Sequence, residues 1–268
     1  MNVKSSYRLA VIDLDETLLG HDKQISAANL KALARLRAVG IEIVIASGRH
    51  HLSIASFEKE TKCEGWIISS AGAMVRHAVT GEILHELTLP VELALEVYER
   101  GRAENCSLIG YHRTGAFIEE ETEWIRVDTG RSRQPPRLAD LRELARDGLQ
   151  KLMLITAAEK IEALYPVLES EYRGRLYVVH TEREMIEFLS PEANKARGAQ
   201  AVAARLGLAR EQVIAFGDGN NDVPVLAWAG MSVAMDHGRP AARKAARLVT
   251  PAGPPEEAFA RGVEMVLD

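Results

Sequence analysis

The sequence predicts an α/β fold, a doubly wound and mainly parallel sheet with an α+β domain inserted into it. Both ends of the chain alternate short apolar runs with helical patterns, as parallel βαβ units do, whereas the middle carries closely spaced strand pairs. Two of the end strands also finish in acidic clusters rather than in simple turns.

The elements follow in order. "RLAVID" reads as a buried strand, and "SAANLKALARLRAVG" as a helix that Ser26 can cap and Gly40 can close at the C′ position. Then come the strand "IEIVIAS", the helix "HHLSIASFEKET" and the strand "GWIIS". After about Gly81 the rhythm changes to "EILHELTL", a helix from Val91, and the strand-like "SLIGYHR" and "GAFIEE". "KLMLITA", a helix through "EKIEALYPVLESEY" and the close strands "LYVVHTE" and "EMIEFLS" complete the middle, up to about Ser190. Strand pairs with short turns indicate an antiparallel α+β unit. Parallel α/β rhythm then resumes with helix "KARGAQAVAARLGL", strand "QVIAFGD", helix "NDVPVLAWAG", strand "MSVAMD", helix "RPAARKAA", strand "RLVT" and a last helix "PPEEAFARGVEMVL". The expected division is residues 1–80 and 191–268 for the α/β domain and 81–190 for the insertion. "RSRQPPR", Arg131 to Arg137, reads as a solvated loop, with Arg131 or Arg133 as a candidate phosphate contact.

Bulk properties narrow the function classes. The 268 residues suffice for a sizeable core, and 47% hydrophobic with 26% charged residues describe a globular chain. A net charge of -5 offers no electrostatic footprint for nucleic acid or an anionic membrane, which points to small-molecule partners. Cys63 and Cys106 are too few for a disulfide framework and fit a reducing cytoplasm. Neither a signal-peptide core nor an apolar run of about 20 residues is present. Oligomeric state is not legible.

Chemistry concentrates at strand ends. If the first strand continues through Asp13 and Asp15, both side chains leave on the same side, and two carboxylates so close repel unless a cation lies between them. Mg²⁺ suits such a pair because it takes oxygen ligands and binds through one or two carboxylates plus substrate phosphate. A lone D-x-D is also an ordinary turn cap, so the second cluster matters: "VIAFGDGNNDVPVL" ends another strand in Asp218, Asn221 and Asp222 before a helix that tolerates Pro224 in its first turn. In an open parallel sheet, functional groups gather beyond the carboxyl ends of the strands, so the two clusters can face each other. Ser47 ends the second strand, where its hydroxyl and the following N–H groups suit an anion or simply a helix cap. Lys195 opens a helix, where a cation opposes the dipole and suggests an anionic partner.

These residues resemble the four motifs of the haloacid dehalogenase (HAD) superfamily: "DLDET" with Thr17, Ser47 after the second strand, Lys195 at a helix start, and "GDGNND". The position and composition of the insertion resemble the Cof-type, subclass IIB hydrolases, and the resemblance covers essentially the whole chain. It implies a Rossmann-like core with an α+β cap domain, and a Mg²⁺-dependent phosphatase of small phosphorylated metabolites, sugar phosphates first among them. Asp13 would be the nucleophile that becomes an aspartyl-phosphate. Asp15 would be the general acid/base, its main-chain carbonyl binding Mg²⁺. Asp218 would complete the metal site, with Asp222 as a further ligand or a partner behind it. Ser47 and Lys195 would hold phosphoryl oxygens, and Thr17, Gly48, Arg49 and Asn221 would bind substrate. The cap would close over the substrate and exclude water.

The chain departs from the family at three places. Glu16 replaces a frequent glycine, Ala71-Gly72-Ala73 replaces Asn-Gly-Ala, and His50 replaces a frequent proline, His50-His51 being read as a helix start. Competing readings are a phosphomutase using the same intermediate and a non-catalytic sugar-phosphate-binding regulator. A phosphoacceptor receiver domain has no use for so large an insertion.

Overall fold

The computed structural model describes residues 6–126 and 135–268, so Arg131 and Arg133 lie outside the described residues. The chain divides into two compact units, one running to His85 and resuming at Asn194–Asp268, the other Glu86–Ala193.

The first unit is built on a mixed sheet. Its strands are β1 (Leu9–Asp13), β2 (Glu42–Ala46), β3 (Trp66–Ser69), β4 (Met74–His77), β5 (Ile83–Glu86), β12 (Val213–Gly217), β13 (Met231–Ala234) and β14 (Leu248–Val249). Their order is β14-β13-β12-β1-β2-β3-β4-β5. From β14 to β3 every pairing is parallel, and β4 returns antiparallel to β3. The central strands are nearly continuous apolar runs because helices cover both faces. On one face Ile12, Ile45, Ile67, Ile214 and Phe216 pack with α1 (Ala27–Ala38), α2 (His51–Thr61) and the last helix, Ala258–Leu267. On the other, Val11, Val44, Ile68 and Ala215 pack with α6 (Lys195–Arg205), α7 (Val223–Trp228) and α8 (Pro240–Ala245). Each large side chain so buried stabilises the fold by about 1.5–3 kcal/mol.

The local signals operate as read. Ser26 accepts a hydrogen bond from the Asn29 amide as N-cap of α1, and Gly40 takes the left-handed conformation (φ 81°) beyond its end. His50 caps α2 and His51 begins it.

The second unit has a sheet of its own in the order β10-β11-β9-β6-β7-β8. The strands are β6 (Ser107–His112), β7 (Gly115–Ile118), β8 (Arg137–Leu138), β9 (Leu149–Ile155), β10 (Tyr177–Glu182) and β11 (Met185–Leu189). Pairing is antiparallel except between β7 and β8. Helices α3 (Val91–Ala103), α4 (Leu141–Asp147) and α5 (Ala158–Glu171) contribute to one apolar cluster with Leu108, Leu152, Leu154 and Phe188. The other cluster of this sheet gathers Ile109, Met153, Ile155 and Met185. Among the described residues no helix is long and apolar enough to cross a membrane.

Candidate active site

β1 ends at Asp13, and the chain does not continue as strand. Leu14–Leu18 forms a single π-type turn in which Asp15 is extended (φ -75°, ψ 132°) and Glu16 is left-handed (φ 58°, ψ 5°). Leu14 and Leu18 anchor the turn by full burial, and the Leu19 amide closes it on the Leu14 carbonyl at 2.8 Å. Asp13 and Asp15 therefore do not share a strand face, which corrects the simple i, i+2 expectation. Left-handed Glu16 redirects the chain, a conformation that glycine adopts without penalty and other residues adopt at a cost of about 1–2 kcal/mol.

Asp13 meets the second acidic cluster instead. Lys195, the first residue of α6, is fully buried. Its Nζ donates to Asp13 Oδ1 and, at 2.6 Å, to Asp222 Oδ1. Asp222 Oδ2 accepts from the amides of Asp218 at 3.0 Å and Gly219 at 2.9 Å, so this carboxylate shapes the loop that carries Asp218. Gly217 is required here, since a Cβ at that position would lie 2.6 Å from the Asp222 Cβ. Thr17 Oγ1 donates to Asp218 Oδ1 at 2.9 Å and joins the two clusters.

The electrostatics follow from three acids around one ammonium. Burial, then repulsion from Asp222, pushes the Asp13 carboxyl well above its ordinary range against the pull of Lys195. Burial and Asp222 push Asp218 up to about 6. Burial opposes charge on Lys195, but Asp13 and Asp222 outweigh it and hold the ammonium above its usual range. Carboxylate oxygens of Asp13, Asp218 and Asp222 lie within 4.8 Å of one another. An oxygen-only set carrying more negative charge than one lysine balances fits a hard divalent cation.

A second group forms around β2. Ser47, buried at its end, accepts from the Arg49 amide at 3.1 Å. Since α2 starts only at His51, Ser47 belongs to the strand end and does not cap that helix. A Cβ on Gly48 would lie 3.7 Å from Asn221 Nδ2, which puts the two loops side by side. Arg49 grips the Asp15 carboxylate with Nε at 2.8 Å and Nη2 at 2.7 Å, and Lys23 approaches Asp15 Oδ1 at 3.4 Å. Burial alone would raise the Asp15 carboxyl, but Arg49 and then Lys23 bring it below its ordinary value. The structure thus brings Asp13, Thr17, Lys195, Asp218 and Asp222 together. It sends the Asp15 side chain to Arg49.

Two contributions are not apparent in the motifs. Ser70, Ala71 and Gly72 take consecutive positive φ values (48°, 54° and 100°). Their loop donates the Ser70 amide to the Arg49 carbonyl at 2.8 Å and the Ala71 amide to the Ser47 carbonyl at 3.0 Å. A Cβ on Gly72 would overlap the Asn194 carbonyl, so this loop seats directly on the start of α6. His237, just past β13, places Nε2 2.7 Å from the Glu16 carbonyl oxygen. The rule that function gathers at strand carboxyl ends, applied to "MSVAMDHG", points to this segment but not to its partner Glu16.

Comparisons with known proteins bear on this site. Residues 10–255 match the family model of haloacid dehalogenase-like hydrolases. The chain is 27% identical to HMP-PP phosphatase of Yersinia pseudotuberculosis over 234 residues, covering 87% of this chain and 85% of the relative. A haloacid dehalogenase-like hydrolase from Bacteroides thetaiotaomicron superposes with a TM-score of 0.85 at 28% identity, covering 97% of this chain and 99% of that one. The HAD subclass IIB sugar phosphatase BT4131 superposes with a TM-score of 0.82, covering 96% and 98%; at 19% identity that likeness speaks to the fold.

Proposed function

The chain belongs to the haloacid dehalogenase-like hydrolase family, and from that premise we propose that it is a Mg²⁺-dependent phosphatase of small phosphorylated metabolites, sugar phosphates foremost. The observation that carries this reading is the buried contact of Lys195 with Asp13 and Asp222, beside Asp218. Asp13, Asp218 and the main-chain carbonyl of Asp15 would hold Mg²⁺, while Asp222 holds Lys195 and the Asp218 loop. When bound, the ion supplies positive charge to the phosphoryl oxygens.

The residues then divide the chemistry. A carboxylate oxygen of Asp13 attacks phosphorus as the bond to the leaving oxygen breaks, and Asp15, which takes up a proton from solvent once the substrate has freed it from Arg49, gives that proton to the leaving oxygen. Water next attacks the aspartyl-phosphate, Asp15 takes its proton, and phosphate leaves with Asp13 restored. Lys195 and Ser47 hold phosphoryl oxygens, aided by Thr17, Gly48, Arg49 and Asn221. An incoming phosphoryl group competes for the Arg49 guanidinium and so releases the Asp15 carboxylate from its ion pair. Covalent catalysis of this kind answers a reaction whose enzymes reach accelerations of up to ~10²¹.

The phosphatase reading draws on likeness to a protein named HMP-PP phosphatase, and the sugar-phosphate class on the resemblance of the motifs and the insertion to Cof-type, subclass IIB hydrolases. Selectivity among leaving groups is assigned to the inserted α+β unit, Glu86–Ala193, as a cap. The buried free thiols of Cys63 and Cys106 suit a cytoplasmic setting. Phosphate release from a panel of phosphorylated metabolites, with and without Mg²⁺, tests the reading. It predicts Mg²⁺-dependent free phosphate. Activity undiminished by EDTA contradicts the metal assignment, and an isomeric phosphoester as product marks a mutase instead.

A further inference from the structure

We propose that His237 is a positioning residue that fixes the Asp15–Glu16 peptide, and with it the Asp15 main-chain carbonyl that the proposed phosphatase reading uses as a Mg²⁺ ligand. The inference rests on that reading. It starts from the backbone, where Glu16 is held left-handed without glycine's freedom.

The peptides on either side of Glu16 pivot about its Cα. Relaxation out of the left-handed region must turn one of them against the other, so the twist persists only while both are held. Asp15, on one side of the pivot, is gripped by Arg49 Nε at 2.8 Å and Nη2 at 2.7 Å, and the peptide that follows Glu16 is held as well. Its carbonyl oxygen lies 2.7 Å from His237 Nε2 and, having no hydrogen to give, can only accept, so Nε2 carries the proton. The next residue, Thr17, is tied through its hydroxyl to Asp218 at 2.9 Å. With that side pinned, the left-handed twist is retained and the Asp15 carbonyl keeps its direction.

His237 is itself anchored to the other acidic cluster. The Met235 amide donates to the Gly217 carbonyl at 3.1 Å and the Arg239 amide to the Asp218 carbonyl at 2.7 Å. Between them Gly238 presses so close that a Cβ would lie 2.9 Å from the Asp218 carbonyl oxygen. The imidazole is therefore carried by a segment locked to the strand end that presents Asp218. It keeps the Asp15 turn and the Asp218 loop in register, as partners behind metal ligands do.

Isothermal titration of the full-length protein with Mg²⁺ tests this without relying on turnover. His237→Ala, and His237→Phe, which keeps a ring but has no donor, should each weaken Mg²⁺ binding about tenfold. His237→Gln, whose amide nitrogen reaches as far as Nε2, should recover most of the loss. At saturating Mg²⁺ the KM of all variants should stay near the wild-type value while the Mg²⁺ needed for half-maximal activity follows the binding data. Wild-type affinity in either donor-free variant that folds overturns the proposal, as does a Gln variant as weak as they are. A wild-type protein that binds no Mg²⁺ overturns the underlying reading instead, which separates the two failures.

Discussion

Arg49 and Asp15, 34 residues apart, meet as a two-pronged ion pair with Nε at 2.8 Å and Nη2 at 2.7 Å from the two carboxylate oxygens. The guanidinium carbon also lies 5.5 Å from the Phe57 ring centre, within range of a cation–π contact. The match of planar fork to carboxylate keeps Asp15 anionic in the absence of substrate. Arg49→Ala should therefore let the Asp15 carboxyl rise from its lowered value, Lys23 alone restraining it. Carboxyl ¹³C NMR titration reads this directly. An unchanged Asp15 titration contradicts the account, as does an unchanged KM, because the same guanidinium is assigned to substrate phosphate.

Lys195 offers a stability test. Its ammonium is fully buried between Asp13 and Asp222, so Lys195→Met leaves these carboxylates without their cation. Near neutral pH the loss should be about 3–5 kcal/mol, measured by urea unfolding in EDTA. The deficit should shrink as pH falls past the raised Asp218 value of about 6, because protonation removes the repulsion that the lysine had balanced. A variant of wild-type stability, or a deficit that grows toward acid, contradicts this balance.

His51 sets a second pH dependence. Buried at the start of α2, it is pushed down from 6.5 to about 4, by burial first and by Arg76 second. The folded protein keeps this imidazole neutral while the unfolded chain protonates it. Its contribution is thus complete above about pH 6.5 and is lost as pH falls toward about 4. Relative to His51→Gln, the wild type should lose on the order of 2 kcal/mol between about pH 7 and about pH 4.5. Denaturant titrations of both proteins measure the difference, and parallel pH profiles would sink the assignment.

What the sequence makes legible here is set by distance along the chain. Apolar runs that stop at Asp13, Ser47 and Gly217 mark strand ends, and in a parallel sheet strand ends imply one edge. Lys195 stands out because a cation at a helix start opposes the dipole, and the structure supplies the compensation in Asp13 and Asp222. The pairing of Asp15 with Arg49 is not legible, because it depends on Glu16 turning left-handed after the strand, and nothing in the residue type announces that. Ser70 and Ala71 hide the loop under α6 for the same reason: both take positive φ where glycine or asparagine would have signalled it. His237 reaches Glu16 across 221 residues, a contact that no local pattern encodes.

The nucleophile assignment is the central claim, and its most direct test is to catch the phosphoryl group on the enzyme. Rapid acid quenching during turnover, borohydride reduction and peptide mass spectrometry convert an aspartyl-phosphate into a stable homoserine at the modified position. The account predicts reduction at position 13 alone, dependent on substrate and absent in Asp13→Asn, which should also lack turnover. Trapping at another residue, or sustained phosphate release by Asp13→Asn after deamidation has been excluded, would contradict it.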